Sequence, residues 1–264
     1  MNENILKTTL RIILNSFNLQ LRERAVQESF FFVLLIQPII FTLLSVGTYL
    51  YGNKPDFGLF AITGAGLIGI WNSNLWTSGE IVHRERRSGT LSLILATPTP
   101  LPLILLGKSI ANAMTSLLAM GITYATGMFA FRLPLGIENP LAFMFGLLLV
   151  VIAFICLGLL FGALFVLSRN AGEFVQVANY PVFLLSGLML PLTILPLWTR
   201  PISALLAPTW GNILLNQASG LLGGSFMPNY LWLIGLSILY LAIARVLYRR
   251  VEYLALQAGT LEKW

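Results

Sequence analysis

The chain has 264 residues, 57% of them hydrophobic and only 10% charged, and its formal net charge is +6. With a mean hydropathy of +0.82 it cannot cover itself with a water-wetted surface, which excludes a soluble enzyme and leaves one integral membrane domain over 1–264. No soluble segment carries a basic face with interleaved aromatics, so the positive charge is read as membrane orientation and lipid contact, and no nucleic-acid partner is expected.

Residues 1–28 form the first predicted element. Leu6, Leu10, Ile13, Leu14, Phe17 and Leu21 recur at helical spacing, while Lys7, Arg11, Asn15, Asn18 and Arg22 fall elsewhere. That pattern predicts an amphipathic helix lying along the membrane surface. A cleaved secretory signal would need an unbroken apolar centre, and Asn15, Ser16, Asn18 and Gln20 interrupt this one.

Six apolar runs follow: Ser29 to Tyr51, Phe57 to Gly79, Leu103 to Ala130, Leu141 to Leu167, Phe174 to Leu195 and Tyr230 to Tyr248. A bilayer core needs roughly 20 mainly apolar residues per helical span, which these runs supply. An even number of spans puts both termini on one side, and Lys and Arg accumulate on the cytoplasmic side. With cytoplasmic termini, Lys7, Arg11, Arg22, Arg24, Arg84, Arg86, Arg87, Lys108, Arg169, Arg245, Arg249, Arg250 and Lys263 lie inside, and only Lys54, Arg132 and Arg200 outside. The predicted fold is therefore all-α, with an interfacial helix and six transmembrane helices.

Two connections are unusual. Residues 80–100 form a charged island between the second and third spans, ending in Pro98 and Pro100, suited to meet a cytoplasmic partner. Residues 196–228 are apolar yet broken by Pro201, Pro208, Gly211, Gly220, Gly223 and Gly224. Such breaks end helices, so short segments around Trp198 to Leu206 and Thr209 to Leu222 are expected to dip into the outer leaflet and return. Trp198 and Trp210 then sit at headgroup level. The loops Gly52 to Asp56 and Phe131 to Pro140 are short, leaving no room for a soluble catalytic domain.

No catalytic or metal-ligating constellation is found. Cys156 is the single cysteine and falls in an apolar span, where packing is its expected role. His83 is the single histidine and has no paired carboxylates. Gly107-Lys108-Ser109 matches only the end of a phosphate-binding loop, with Pro102 where its first glycine belongs. Lys108 is instead expected to snorkel toward the cytoplasmic interface.

Polar and aromatic residues inside the spans mark a candidate substrate pathway. Trp71, Asn72, Asn74 and Trp76 lie in the second span, and Gln176, Asn179, Tyr180, Phe183 and Gly187 form one face of the fifth. Amides are costly against lipid and turn toward protein or a cavity. The alternative, that they only join helices by hydrogen bonds, stays open. Leu188, Met189 and Leu190, just before Pro191, are a candidate apolar outer gate. No acidic residue lies deep in a span, which disfavours proton-driven antiport.

Glu85-Arg86-Arg87-Ser88-Gly89-Thr90-Leu91, followed by Leu95, Pro98 and Leu106-Gly107-Lys108, resembles the signature of type-2 ATP-binding cassette (ABC) transporter permeases. Ser186-Gly187-Leu188-Met189-Leu190-Pro191, with Leu195-Pro196 and Pro208, is similar to the same family's region around the exit of the fifth span. The resemblance implies a half-transporter: two permease subunits, identical or paralogous, over two ABC ATPase subunits that bind the ATP and Mg. It implies that Glu85 to Leu91 couple to the ATPase, and that the substrate cleft follows the second and fifth spans near the two-fold axis. The motif looks most like the drug and antibiotic efflux branch. That implies outward movement of hydrophobic or amphipathic compounds across a prokaryotic plasma membrane, with polysaccharide or lipid-linked glycan export, or a non-transporting scaffold, as alternatives.

Overall fold

The computed structural model describes the backbone of residues 2–26, 29–51, 58–87, 101–132, 136–167 and 171–258. Among these the regular structure is entirely helical. Helix α1 is Asn2–Val26. A short α2, Ser29–Phe31, runs through a π-helical stretch, Phe32–Ile36, into α3, Gln37–Tyr51. Helix α4 is Gly58–Arg87, α5 is Leu101–Phe131 and α6 is Pro140–Leu167. Helix α7 is Ala171–Leu185, followed by two 3-10 turns, Leu192–Ile194 and Leu197–Thr199. Short helices α8, Arg200–Ala204, and α9, Ala207–Ala218, lead to α10, Phe226–Ala258.

Three described helical stretches are long and apolar enough to cross a membrane: Leu101–Phe131, Pro140–Val166 and Phe226–Val251. Leu34–Tyr49 and Gly58–Ser73 are shorter apolar stretches. Helix α4 does not stop where its apolar run stops. It continues through Glu80 to Arg87, so the first part of the charged island is a helical extension of α4. At 1.5 Å per residue, its 30 residues reach about 45 Å, well beyond a hydrocarbon core of about 30 Å.

Cross-helix contacts fix the directions of the spans. Helices α4 and α5 are antiparallel: Thr63 and Tyr124 share a hydroxyl hydrogen bond at 3.0 Å, and Ser73 reaches the Asn112 carbonyl at 3.5 Å. Helices α6 and α10 run in the same direction, with the Tyr230 hydroxyl donating to Ala142 O at one end and that of Tyr248 to Leu159 O at the other, both at 3.0 Å. The bundle therefore has one end marked by Tyr124, Ala142 and Tyr230 and another marked by Ser73, Asn112 and Tyr248. Arg22, Arg24, Arg84, Arg86, Arg87, Lys108, Arg245, Arg249 and Arg250 gather toward the second end, while Arg132 and Arg200 lie toward the first.

Helix association in lipid rests on close packing and interhelical hydrogen bonds, since the tails are as apolar as the side chains. Helix α9 illustrates this. A methyl on Gly211 would press on Val150, and one on Gly146 would meet Leu214, so α9 and α6 each bring a glycine to the contact. Helix α9 is thereby buried along Ala207, Gly211, Leu214, Leu215 and Ala218. The break before it is bridged by Tyr240 of α10, whose hydroxyl donates to Leu205 O and accepts from Ala207 N–H. Trp210 donates to Ala204 O at 2.8 Å and stacks on Trp232, with ring centroids 5.1 Å apart. Cys156 sits in the core as a free thiol.

Two features differ from the sequence-based expectation. Helix α7, in the fifth apolar run, ends at Leu185, ten residues before the end of that run, because Gly187 adopts φ +77 and stops it. A left-handed glycine just past the last turn is a common helix stop. Lys108 does not snorkel to an interface: it is 2% exposed and its Nζ lies 3.6 Å from Glu23 Oε2, because α1 packs over this stretch of α5. A methyl on Gly107 would collide with the Ile13 carbonyl, so the glycine beside Lys108 is what lets α1 approach.

The face α1 presents to α5 takes Ile13 from its apolar stripe and is otherwise polar. Ile13, Ser16, Gln20 and Glu23 form the seam, with the Gln20 amide donating to Asn112 Oδ1 at 3.2 Å and Arg24 within 3.5 Å of Thr115 Oγ1. Leu10 and Leu14 remain more than half exposed. Helix α1 thus sets Ser16, Gln20 and Glu23 against protein and leaves Leu10 and Leu14 outward.

Candidate functional site

Trp71 of α4 and Asn179 of α7 are joined side chain to side chain: the indole N–H donates to Asn179 Oδ1 at 2.9 Å, and both are buried. The Trp71 ring also meets Phe154 and Phe161 of α6 edge to face, with centroids 5.9 and 6.2 Å away. A buried indole needs an acceptor for its N–H, and in this apolar setting the amide supplies it. The pair of expected pathway residues therefore includes a direct tie between the two helices that carry them.

The other expected pathway residues separate. Phe183 is buried with Asn179, whereas Tyr180 is 68% exposed, beside the exposed Val177 and Leu184. Consecutive helical residues project 100° apart, so the single face expected over 176–187 is two faces. One holds α7 to α4, and the other presents Tyr180 outward. Asn72 is half-buried. Asn74, Trp76 and Gln176 lie on helical backbone, and their side chains fall outside the described residues. Pro181 within α7 removes one donor from the helix ladder and weakens its regularity near the same level.

Glu85, Arg86 and Arg87 occupy the last turn of α4. Ser88, Gly89, Thr90 and Leu91 lie outside the described residues. Next in the chain after that segment, α5 begins, and its first turns carry Gly107 and Lys108 under α1. The charged end of α4 and the α1–α5 seam thus lie at the same end of the bundle, opposite the exit of α7.

That exit is braced by side-chain donors from three other elements. Ending a helix frees its last carbonyls, and a buried carbonyl needs a donor. Ser203, preceding α9, donates its hydroxyl to Leu185 O. Asn212 of α9 donates its amide to Gly187 O at 2.7 Å, and Tyr49 of α3 donates to Met189 O at 2.8 Å. The Leu188 carbonyl lies against the Cα of Gly64 in α4, where a methyl has no room. Leu188 itself is 2% exposed, while Met189 and Leu190 are 44% and 40% exposed. The three expected gate residues therefore divide into one core side chain and two at the surface of the chain.

Asn212, Ser203, Gly64 and Tyr49 are missing from the sequence-based set. The amide pair Asn212 and Asn216, one turn apart in an apolar stretch, is the sequence signal that marks this face. Nothing local marks Gly64 or Tyr49, whose roles arise only from which backbone they approach. Among the described residues, no group of three or more His, Cys, Asp or Glu side chains is placed to hold a metal ion.

Residues 16–218 match the family model described as "ABC-2 type transporter". Two curated proteins, from Escherichia coli strain K12 and Escherichia coli O157:H7, each carry the description "Probable multidrug ABC transporter permease YbhR". Each is 29% identical over 131 residues, covering 50% of this chain and 34% of the relative. The aligned part is thus about a third of those relatives' length.

Proposed function

The chain belongs to the ABC-2 type transporter family, and on that premise we propose that it is the membrane permease of an ATP-driven exporter of hydrophobic or amphipathic compounds. In this proposal it crosses a prokaryotic plasma membrane six times with both termini cytoplasmic. A single domain spans 1–264, with 1–28 as interfacial elbow, 80–100 as coupling segment and 196–228 as re-entrant segment. Two permease subunits, identical or paralogous, stand over two ATPase subunits that bind ATP and Mg.

The observation that carries the proposal is the placement of charge. Glu80 to Arg87 extend α4 past its apolar length at the end where most described basic residues gather, as the positive-inside rule requires of a cytoplasmic face. The re-entrant helices α8 and α9 fall at the other end. Force applied by a nucleotide-driven partner at Glu85 to Leu91 would then enter α4 directly. Helix α4 is tied to α7 at Trp71–Asn179 and abuts the exit turn at Gly64–Leu188. Motion of α4 would reach both the pathway face and the outer gate at Leu188, Met189 and Leu190. The exposed Leu10 and Leu14 of α1 suit contact with membrane lipids.

The substrate class rests on the pathway residues Trp71, Asn72, Asn74, Trp76, Gln176, Asn179, Tyr180 and Phe183, which mix aromatic surface with neutral amides and carry no charge. The description of the curated relatives as multidrug permeases points the same way. The test is to purify the complex with its ATPase, reconstitute it in proteoliposomes and measure ATP-dependent movement of amphipathic fluorescent compounds. Movement that needs both ATP and this chain supports the proposal. Movement of a lipid-linked glycan alone would reassign the cargo, and no copurifying ATPase would remove the transporter assignment.

A further inference from the structure

The exit turn after α7 is held by donors from several elements, and one of them is itself oriented by a neighbour. Asn212 and Asn216 are 3% and 0% exposed. The Asn216 amide donates to both Asn212 Oδ1 and Asn212 O, each at 2.8 Å. With its oxygen engaged by Asn216, the Asn212 side chain points its Nδ2 at Gly187 O, 2.7 Å away. The two ends of an Asn amide are nearly equal in shape, and its orientation here is set from both sides: the Gly187 carbonyl can only accept, and the Asn216 Nδ2 can only donate. Gly187 has φ +77, a conformation in which other residues are strained, so its carbonyl is aimed by a position that only glycine occupies readily. Asn216 Oδ1 is buried with no hydrogen-bond partner, so the pair is not optimised for its own satisfaction.

We infer that Asn212 is a positioning residue for the outer gate: its amide, oriented by Asn216, latches the Gly187–Leu190 turn closed, and opening requires that bond to break. This rests on the proposed gate at Leu188, Met189 and Leu190. Helix α9 is packed by glycine contacts onto α6, while the turn is the continuation of α7, so the latch joins two bodies, beside the Ser203 and Tyr49 bonds to Leu185 O and Met189 O. In the low-dielectric interior one such bond counts for more than it would in water, and its loss shifts the population of the open turn.

The test uses the permease in complex with its ATPase, with Cys156→Ser and Leu188→Cys introduced so that the buried gate position reports its own exposure to a membrane-impermeant maleimide. Resting and nucleotide-trapped states are labelled. Asn212→Leu is expected to raise resting-state labelling about fivefold, the factor carried by a neutral hydrogen bond of about 1 kcal/mol. Asn212→Ser, which keeps the site polar but is too short to reach Gly187 O, carries the same expectation. In chains that retain Leu188, Cys156 should stay unlabelled in both variants, which separates local release from general loosening.

If the parent labels identically in both nucleotide states, the gate itself is refuted, and the latch with it. If the parent responds to nucleotide but both variants label at the parent's resting rate, the latch is overturned and the gate stands. Labelling of Cys156 in step with position 188 would also overturn it, by showing that the variants merely loosen the fold.

Discussion

Gly64 and Leu188 meet backbone to backbone: the Cα of one lies against the carbonyl of the other, with no room for a methyl between them. This contact is where α4 touches the turn that closes α7. Replacing Gly64 by Ala should force one backbone away from the other, at an overpacking cost of about 1–3 kcal/mol. Thermal unfolding of the purified permease in detergent reads it as a lower melting temperature. Gly121→Ala in α5 adds a methyl where nothing lies within 4 Å, and should hold or raise that temperature, since Ala is the better helix former. Equal effects of the two substitutions would contradict the contact.

The Trp71–Asn179 bond predicts an energetic coupling between α4 and α7. Trp71→Phe keeps most of the ring packing against Phe154 and Phe161 but removes the indole N–H. Asn179→Leu removes the acceptor. A double-mutant cycle should return a coupling of about 0.6 kcal/mol, the average for interhelical hydrogen bonds in membranes, and no more than about 1.7 kcal/mol. A value near zero would mean that the two helices are held by shape alone.

The buried Lys108 predicts an asymmetric response at the α1–α5 seam. Glu23→Gln takes away the carboxylate beside a lysine that is 2% exposed, while Glu23 itself is 29% exposed. The expected cost is about 1–3 kcal/mol, below that of breaking a fully buried pair because water reaches the Glu23 side. Lys108→Met combined with Glu23→Gln should recover much of the loss, since no buried lysine is then left in the seam. Denaturation of the four proteins in one detergent measures this, and a double variant weaker than both singles would refute it.

Coupling to an ATPase is tested at the charged end of α4. Glu85→Ala and Gly89→Leu should insert and fold normally yet lower transport per ATP hydrolysed by about tenfold, equivalent to about 1.4 kcal/mol of lost coupling. Parallel ATPase and transport assays on the reconstituted complex decide the matter. Native stoichiometry in both variants would take this segment out of the mechanism.

Much of the architecture was legible in the chain because membrane helices are written as length and hydropathy. The runs beginning near Ser29, Phe57, Leu103, Leu141, Phe174 and Tyr230 all contain described helices, and the interrupted 196–228 stretch folds as short helices around its prolines. The early end of α7 was missed: Ser186-Gly187 followed by Pro191 is a stop signal, but the continuing apolar composition masked it. Apolar side chains report burial or lipid contact without regard to backbone conformation, so hydropathy alone extends a helix through a turn.

The amino-acid order by itself determined that this is a helical membrane protein, where its apolar runs lie and that a charged island separates the second run from the third. Only the tertiary structure decided that Lys108 is covered by α1, that Asn179 faces Trp71 while Tyr180 faces away, and that Ser203, Asn212 and Tyr49 converge on one turn. Hydropathy and periodicity are properties of neighbours in sequence, each set by a few consecutive residues. A hydrogen bond between residues 49 and 189 depends on the relative placement of whole helices, which is fixed by where their glycines let them approach.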